Sequence, residues 1–357
     1  MMYSSSRVLP QAVLAIWVGV TGMSMMPSPA PAAEIVEGPK VSWNLSSYGN
    51  PRAFTKGLDA LSSIVDKRTG GNFTIKVHYG EALSKVRENL DGIKMGAFEA
   101  AIVCGAYHPN KTSTITVLEL PFLPIKNADV MQRLEQALFN HPAVVKDAAR
   151  WNAKFLYATL VPQNELMGKG KAPNTLSNFK GLRVRAVSGL GRAMKRLGAV
   201  PMSMPSPEIY QAMQSGALDA VGLGFSYAFI SFKIPELSTW YTDNLKAGAG
   251  SCPTTVNLDA WNALPAQYQK LIEDSIPEIY ETLKAGYRAA DEKNIPMLKT
   301  SGLERIHYSE KQLTELRKLA AGPVWEQWVK DATAEGIPGR ELLDFVLKTA
   351  NELNKKY

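Results

Sequence analysis

From Lys40 to Cys104 the hydrophobic period switches repeatedly between that of a strand and that of a helix. Lys40–Leu45 (KVSWNL) and Phe73–Tyr79 (FTIKVHY) read as strands. Between them a polar loop covers Ser46–Pro51, and Phe54, Leu58, Leu61, Ile64 and Val65 then share one helical face ahead of the stop Thr69-Gly70-Gly71. A helix over 84–95 closing at Gly96 and a short apolar strand at Ala100–Cys104 continue the series. Strand–helix–strand–helix–strand order predicts an α/β layer with a mostly parallel sheet.

A helix carrying Met131, Leu134 and Leu138 and a strand over Lys154–Val161 precede a second unit of the same kind. Its centre is KGLRVRAV, residues 180–187, where Val184 alternates with Arg183 and Arg185. Period two puts both arginines on one face of the strand. Ser188 is the expected cap of a helix over 189–197, followed by strands at Val200–Met204 and Leu218–Leu223 around a helix opened by Ser206-Pro207-Glu208. After Pro265 a long Lys-, Glu- and Ala-rich helical run extends to about Ser301, with Pro277 and Pro296 expected to kink or break it. The tail reads as helices separated by Gly322-Pro323 and Gly336–Gly339.

The first 33 residues carry one charge, Arg7, followed by the apolar run Val13–Val20 and by Ala30-Pro31-Ala32, a small-x-small cleavage pattern. Residues 1–32 are therefore expected to be a cleaved signal peptide, giving an exported, soluble protein. The net charge of +7 over 357 residues is spread without a Lys/Arg block, which argues against a nucleic-acid partner. Cys104 and Cys252 both lie in apolar stretches, and two buried thiols are the expectation, with a disulfide as the alternative.

Motifs for chemistry are missing. Gly189-Leu190-Gly191 follows a strand and opens a helix, but Met194 stands where a dinucleotide fingerprint needs its third glycine. His78, His108, His141 and His307 have no spacing that suggests a partner or a metal. The expectation is a non-enzyme with no cofactor and no metal site. Two α/β units suggest a hinged binder whose crevice lies off the carboxyl ends of strands. There an arginine fork suits a carboxylate.

The block Phe179–Asp219 closely resembles the signature region of solute-binding proteins of tripartite ATP-independent periplasmic (TRAP) transporters, the DctP-like family. It supplies Lys180, Gly181, Leu182 and Arg185, then Gly198-Ala199, Met204-Pro205, Glu208-Ile209-Tyr210 and Gln214–Asp219 at the family's spacing. Gly92–Ala100, Leu120-Pro121-Phe122, Val256-Asn257 and Trp261–Pro265 extend the resemblance over nearly the whole chain beyond the signal. It implies a two-lobe α/β periplasmic binding fold of type II kind, with a hinge, a long lobe-spanning helix and C-terminal helices. One lobe would hold 34–161 plus about 248–290, the other 162–247 plus about 291–357.

The resemblance makes Arg185 the carboxylate clamp and leaves Arg183 to support or solvent. Leu223 stands where the family often places a polar ligand contact, and Glu165 falls near a second arginine of some members. Gln163, Asn164 and Glu165 are thus candidate polar contacts, and Trp43, Tyr48, Tyr107, Phe225 and Tyr227 candidate aromatic lining. The expected ligand is a small organic anion with one carboxylate and an apolar or aromatic body. The expected partners are membrane permease subunits, and the protein is expected to act as a monomer. An exported lyase or isomerase, a binding protein of an ATP-driven importer, and a ligand sensor remain as alternatives.

Overall fold

The computed structural model describes residues 35–357, so the expected signal peptide lies outside the described residues. The strands in chain order are β1 (Val41–Ser46), β2 (Phe73–His78), β3 (Ala100–Ile102), β4 (Ala153–Ala158), β5 (Asn164–Gly168), β6 (Arg183–Arg185), β7 (Val200–Met202), β8 (Ala220–Gly224), β9 (Trp240–Thr242), β10 (Pro253–Asn257) and β11 (Glu304–Ile306). They form two sheets, β2-β1-β3-β10-β4 and β11-β9-β5-β8-β6-β7. The result is the expected two-lobe α/β architecture.

Each sheet is parallel except for one strand. In the first sheet β10 runs antiparallel to both β3 and β4; in the second, β5 runs antiparallel to both β8 and β9. The chain crosses between lobes from β4 to β5 and returns from β9 to β10. The two crossings are hydrogen-bonded together: Asn164 N donates to Gly248 O (2.7 Å), Ala247 N to Asn164 O (3.1 Å), and Thr159 N to Cys252 O (3.2 Å).

The run after Pro265 is one unbroken helix, Ala266–Thr300, with both prolines inside it. An interior proline costs about 3 kcal/mol, and burial outweighs that here. Tyr268, Leu271, Ile272, Ile279, Tyr280, Leu283 and Tyr287 form its buried stripe, part of a core shared with the helix Lys56–Arg68. Farther along, Asp291 Oδ1 accepts from Ser226 Oγ (2.7 Å) on the second lobe, so the helix spans both.

Three further expectations need correction. The helix expected over 84–95 forms only at Asn89–Met95, because Glu81 adopts φ +64 and its carboxylate accepts from Val86 N (2.8 Å), holding the preceding segment in turns. Ser188 is not the cap but the first helical residue of Ser188–Arg196. The tail does not go wholly with the second lobe. Strand β11 and helix Glu310–Ala320 pack there, whereas Val324, Trp328, Leu342, Leu343 and Val346 join a core with Leu134, Leu138 and Phe155 of the first lobe. Helices Gly322–Ala334 and Gly339–Asn354 turn these apolar faces to the first-lobe core.

The cysteines are also paired rather than free. Val103 N bonds Pro253 O (3.1 Å) and Gly105 N bonds Ser251 O (2.9 Å), so Cys104 and Cys252 face each other as a non-hydrogen-bonded antiparallel pair. That is the close kind of pair, and a disulfide joins them across a sequence separation of 148. Cross-links over long loops restrict the unfolded chain most. Replacing both cysteines with serine is expected to lower the unfolding free energy by about 2–5 kcal/mol; an unchanged denaturation midpoint would show that the bridge adds nothing.

Candidate functional site

Strand β6 sends both arginines to one face, as period two requires, but to different surroundings. Arg183 is exposed and forms a two-point pair with Asp219, Nε to Oδ2 at 2.9 Å and Nη2 to Oδ1 at 2.5 Å. Asp219 is held below the usual carboxylate range by that guanidinium. Arg185, one pleat nearer the carboxyl end of the strand, is only 4% exposed.

A buried cation needs partners in place of water. Arg185 Nε donates to Met204 O, Nη1 to Gly222 O, and Nη2 to the Tyr107 hydroxyl, each at 3.0 Å. The carbonyls belong to the second lobe and fix the plane of the fork. Tyr107 comes from the first lobe, and its oxygen also meets Ser206 N (3.1 Å) and Ser206 Oγ (3.0 Å). The phenol therefore joins the lobes at the guanidinium.

Around this point lies a cavity of about 60 Å³, walled by both lobes and by the disulfide. Tyr48, Tyr107, Asn164, Arg185, Leu223 and Tyr227, all expected near a ligand, line it together. Burial holds the Tyr48 hydroxyl well above its ordinary pKa and pushes Tyr227 up to about 12, so both remain protonated. A cavity near 150 Å³ is what accommodates benzene. At about 60 Å³ the lobes are closed onto their own side chains.

The other candidates lie elsewhere. Trp43 is core, edge-on to Phe73 at 5.1 Å. Gln163 accepts from Gly248 N (3.1 Å) and opens onto a different cleft, with Lys246, Lys284 and Arg288. Phe225 packs on Phe229, also outside the cavity lining. Glu165 faces away from the cavity. Its Oε2 accepts from Thr242 Oγ1 (2.5 Å) and Leu245 N (3.0 Å), and its Oε1 from Lys246 N (2.9 Å). Burial nonetheless pushes its pKa up to about 7 against the pull of these donors.

Two ionisable lining residues, Arg52 and Glu119, were not among the sequence candidates. Arg52 follows β1 and lies over the rings of Tyr48 (5.0 Å), Phe54 (4.6 Å) and Phe232 (5.6 Å), so it too bridges the lobes. Its Nη1 donates to Tyr48 O and Asn50 O, both at 2.9 Å. Its place just beyond the carboxyl end of a parallel strand was the available signal. Glu119, in the turn Ile115–Glu119, had none beyond being an acid before Leu120-Pro121-Phe122. Among the described residues no three metal-ligating side chains are gathered, and no helix is long and apolar enough to cross a membrane.

Residues 49–331 match the family described as DctP, bacterial extracellular solute-binding protein, family 7. The chain is 26% identical over 343 residues to the C4-dicarboxylate-binding periplasmic protein DctP of Rhodobacter capsulatus, covering 92% of this chain and 96% of that one. It is 24% identical over 302 residues to a monocarboxylate 2-oxoacid-binding periplasmic protein of Nostoc sp., covering 84% and 82%. A TRAP periplasmic solute-binding protein from Desulfovibrio salexigens, solved with bound orotic acid, has the same fold, with TM-score 0.79, 21% identity and coverage of 88% and 99%.

Removing the Glu165 carboxyl strands the buried amides of Leu245 and Lys246. Glu165→Ala is therefore expected to cost about 1–3 kcal/mol of stability, read from denaturant unfolding, while leaving solute affinity within twofold. A large affinity loss in a fully folded variant would return Glu165 to the binding site.

Proposed function

The chain belongs to the DctP family of extracellular solute-binding proteins, and we propose that it captures a small organic acid between its lobes in the periplasm and delivers it to the membrane permease of a TRAP transporter. The observation that carries this reading is Arg185: a charged fork, oriented by two backbone carbonyls, in the wall of an inter-lobe cavity. An ionised carboxylate is the group such a fork matches with two parallel hydrogen bonds. The named solutes of the similar proteins, C4-dicarboxylates, 2-oxoacids and orotic acid, are all carboxylic acids.

In this reading the ligand carboxylate takes the guanidinium edge that Tyr107 now contacts, and the phenol becomes a donor to the ligand. Tyr48, Tyr227 and Leu223 supply the apolar surface for the body of the acid. Arg52 adds a second cation and extends the reading to acids with a second polar end. The lobes part to admit the solute and close over it, moving about the paired crossings. The protein works as a monomer and performs no chemistry on its cargo.

A ligand that binds only the folded state raises apparent stability, so a thermal-shift screen of dicarboxylates, sugar acids, 2-oxoacids and aromatic acids identifies the solute class. Truncating a buried, hydrogen-bonded charge partner costs about 2–5 kcal/mol. Arg185→Ala is thus expected to weaken the identified acid at least tenfold in calorimetry. Arg185→Lys should recover only part of the loss, because an ammonium lacks the planar fork. Full affinity in a folded Arg185→Ala protein would rule the clamp out.

A further inference from the structure

Glu119 is an acid in the same cavity wall as Arg185 and Arg52, and it is 4% exposed. Its Oε1 accepts from Ala106 N (3.0 Å) and Ser251 N (3.2 Å), the amides that flank the disulfide. Its Oε2 is buried and makes no hydrogen bond of normal geometry among the described residues, although the Ser188 hydroxyl lies close enough to favour the charged carboxyl. One half of the carboxyl is thus anchored and the other is left over. The position is rigid: a Cβ added at Gly189 would come within 2.2 Å of Glu119 O, so the start of helix Ser188–Arg196 rests directly on this backbone.

The groups facing Glu119 do not neutralise it. Burial is the dominant influence and pushes its pKa up to about 7, opposed by the Ser188 hydroxyl, the Ser251 and Ala106 amides and the Arg185 charge. Arg185 is already committed to Met204 O, Gly222 O and Tyr107, and Arg52 to Tyr48 O and Asn50 O. Tyr48 and Tyr227 are kept neutral by burial. Behind Ser251, Glu135 of helix Ala128–Phe139 is fully buried and held well above the usual carboxyl range, so it is neutral as well. Beyond Gly189, Arg192 is paired with Asp331 (2.6 Å) and Glu335 accepts from Ser113 Oγ (2.6 Å).

We propose that Glu119 is a ligand-facing acid that carries a proton in the bound state and donates it, through Oε2, to an oxygen of the captured anion beside Arg185. This rests on the organic-acid reading above. Two carboxylates confined in one water-poor cavity repel, whereas one proton shared between them makes a hydrogen bond. The balance is simple: the proton comes from solvent, before binding at low pH and together with the anion at high pH, and no bond of the ligand breaks. The bound anion raises the Glu119 pKa further, so below about pH 7 the proton is already present and affinity is flat. Above it each binding event must take up a proton, and affinity falls by up to about tenfold per pH unit.

The test is calorimetry of the full chain with pyruvate and with benzoate, both fully ionised from pH 6 upward, in phosphate and in Tris, whose heats of ionisation differ. The expected result is an affinity that drops about 10- to 30-fold between pH 6 and 8.5, with close to one proton taken up at pH 8. Glu119→Gln keeps an N–H donor and cannot titrate, so slope and uptake should both vanish whatever its absolute affinity. A flat wild-type profile, zero uptake at pH 8, or an unchanged slope in Glu119→Gln overturns the inference. If the variant fails to bind, carbon-13 carboxyl spectra of the wild type decide, since a Glu119 resonance whose midpoint does not rise on binding also overturns it. Binding without proton uptake would sink this inference alone; no binding of either acid, nor of any in the broader screen, at any pH would sink the organic-acid reading with it.

Discussion

The inter-lobe cavity depends on the two chain crossings being joined to each other. Each sheet is a parallel layer completed by one antiparallel strand, β10 in the first and β5 in the second, and each of these strands adjoins a crossing. The hydrogen bonds among Thr159, Asn164, Ala247, Gly248 and Cys252 tie the crossings side by side. Separately, either connection would be a flexible linker with unsatisfied amides. Together they form a short two-stranded hinge whose backbone groups are paired, and the disulfide fastens its first-lobe end. The carboxyl ends of β1, β3, β6 and β8 then converge on one place.

At that place Arg185 poses a packing problem that both lobes help to solve. A buried guanidinium is unfavourable unless its donors are met. Two carbonyls of its own lobe meet part of the demand, and the opposite lobe supplies the rest through Tyr107. The same group therefore favours closure, and in the proposed reading it is also the group that meets the anion. Arg52 repeats the idea from the first lobe, with aromatic faces in place of carbonyls.

Much of this was legible in the sequence. The alternating periods gave the α/β layers, and the strand carrying Arg183 and Arg185 was evident from period two alone. The two arginines were separable only by the family resemblance, because a strand's face is local information whereas Asp219, which occupies Arg183, is thirty-six residues away. The surroundings of Glu165 were hidden for the same reason. Nothing local to Gln163-Asn164-Glu165 announces that the 242–246 segment will offer it two amides and a hydroxyl. The prolines of the long helix also misled, since a propensity of about 3 kcal/mol is outweighed by a stripe of buried tyrosines and leucines that only the partner helix makes visible.

By itself, then, the sequence determined the secondary-structure rhythm, the division into two α/β units and the strand end at which an arginine could serve an anion. These follow from side-chain periodicity and turn residues, which act over a few positions along the chain. The tertiary structure decided which charges are buried, which are cancelled and which remain to act. Arg52, Glu119 and the joined cysteines belong to that second class, because desolvation and pairing depend on neighbours brought together from as far apart as residues 48 and 252.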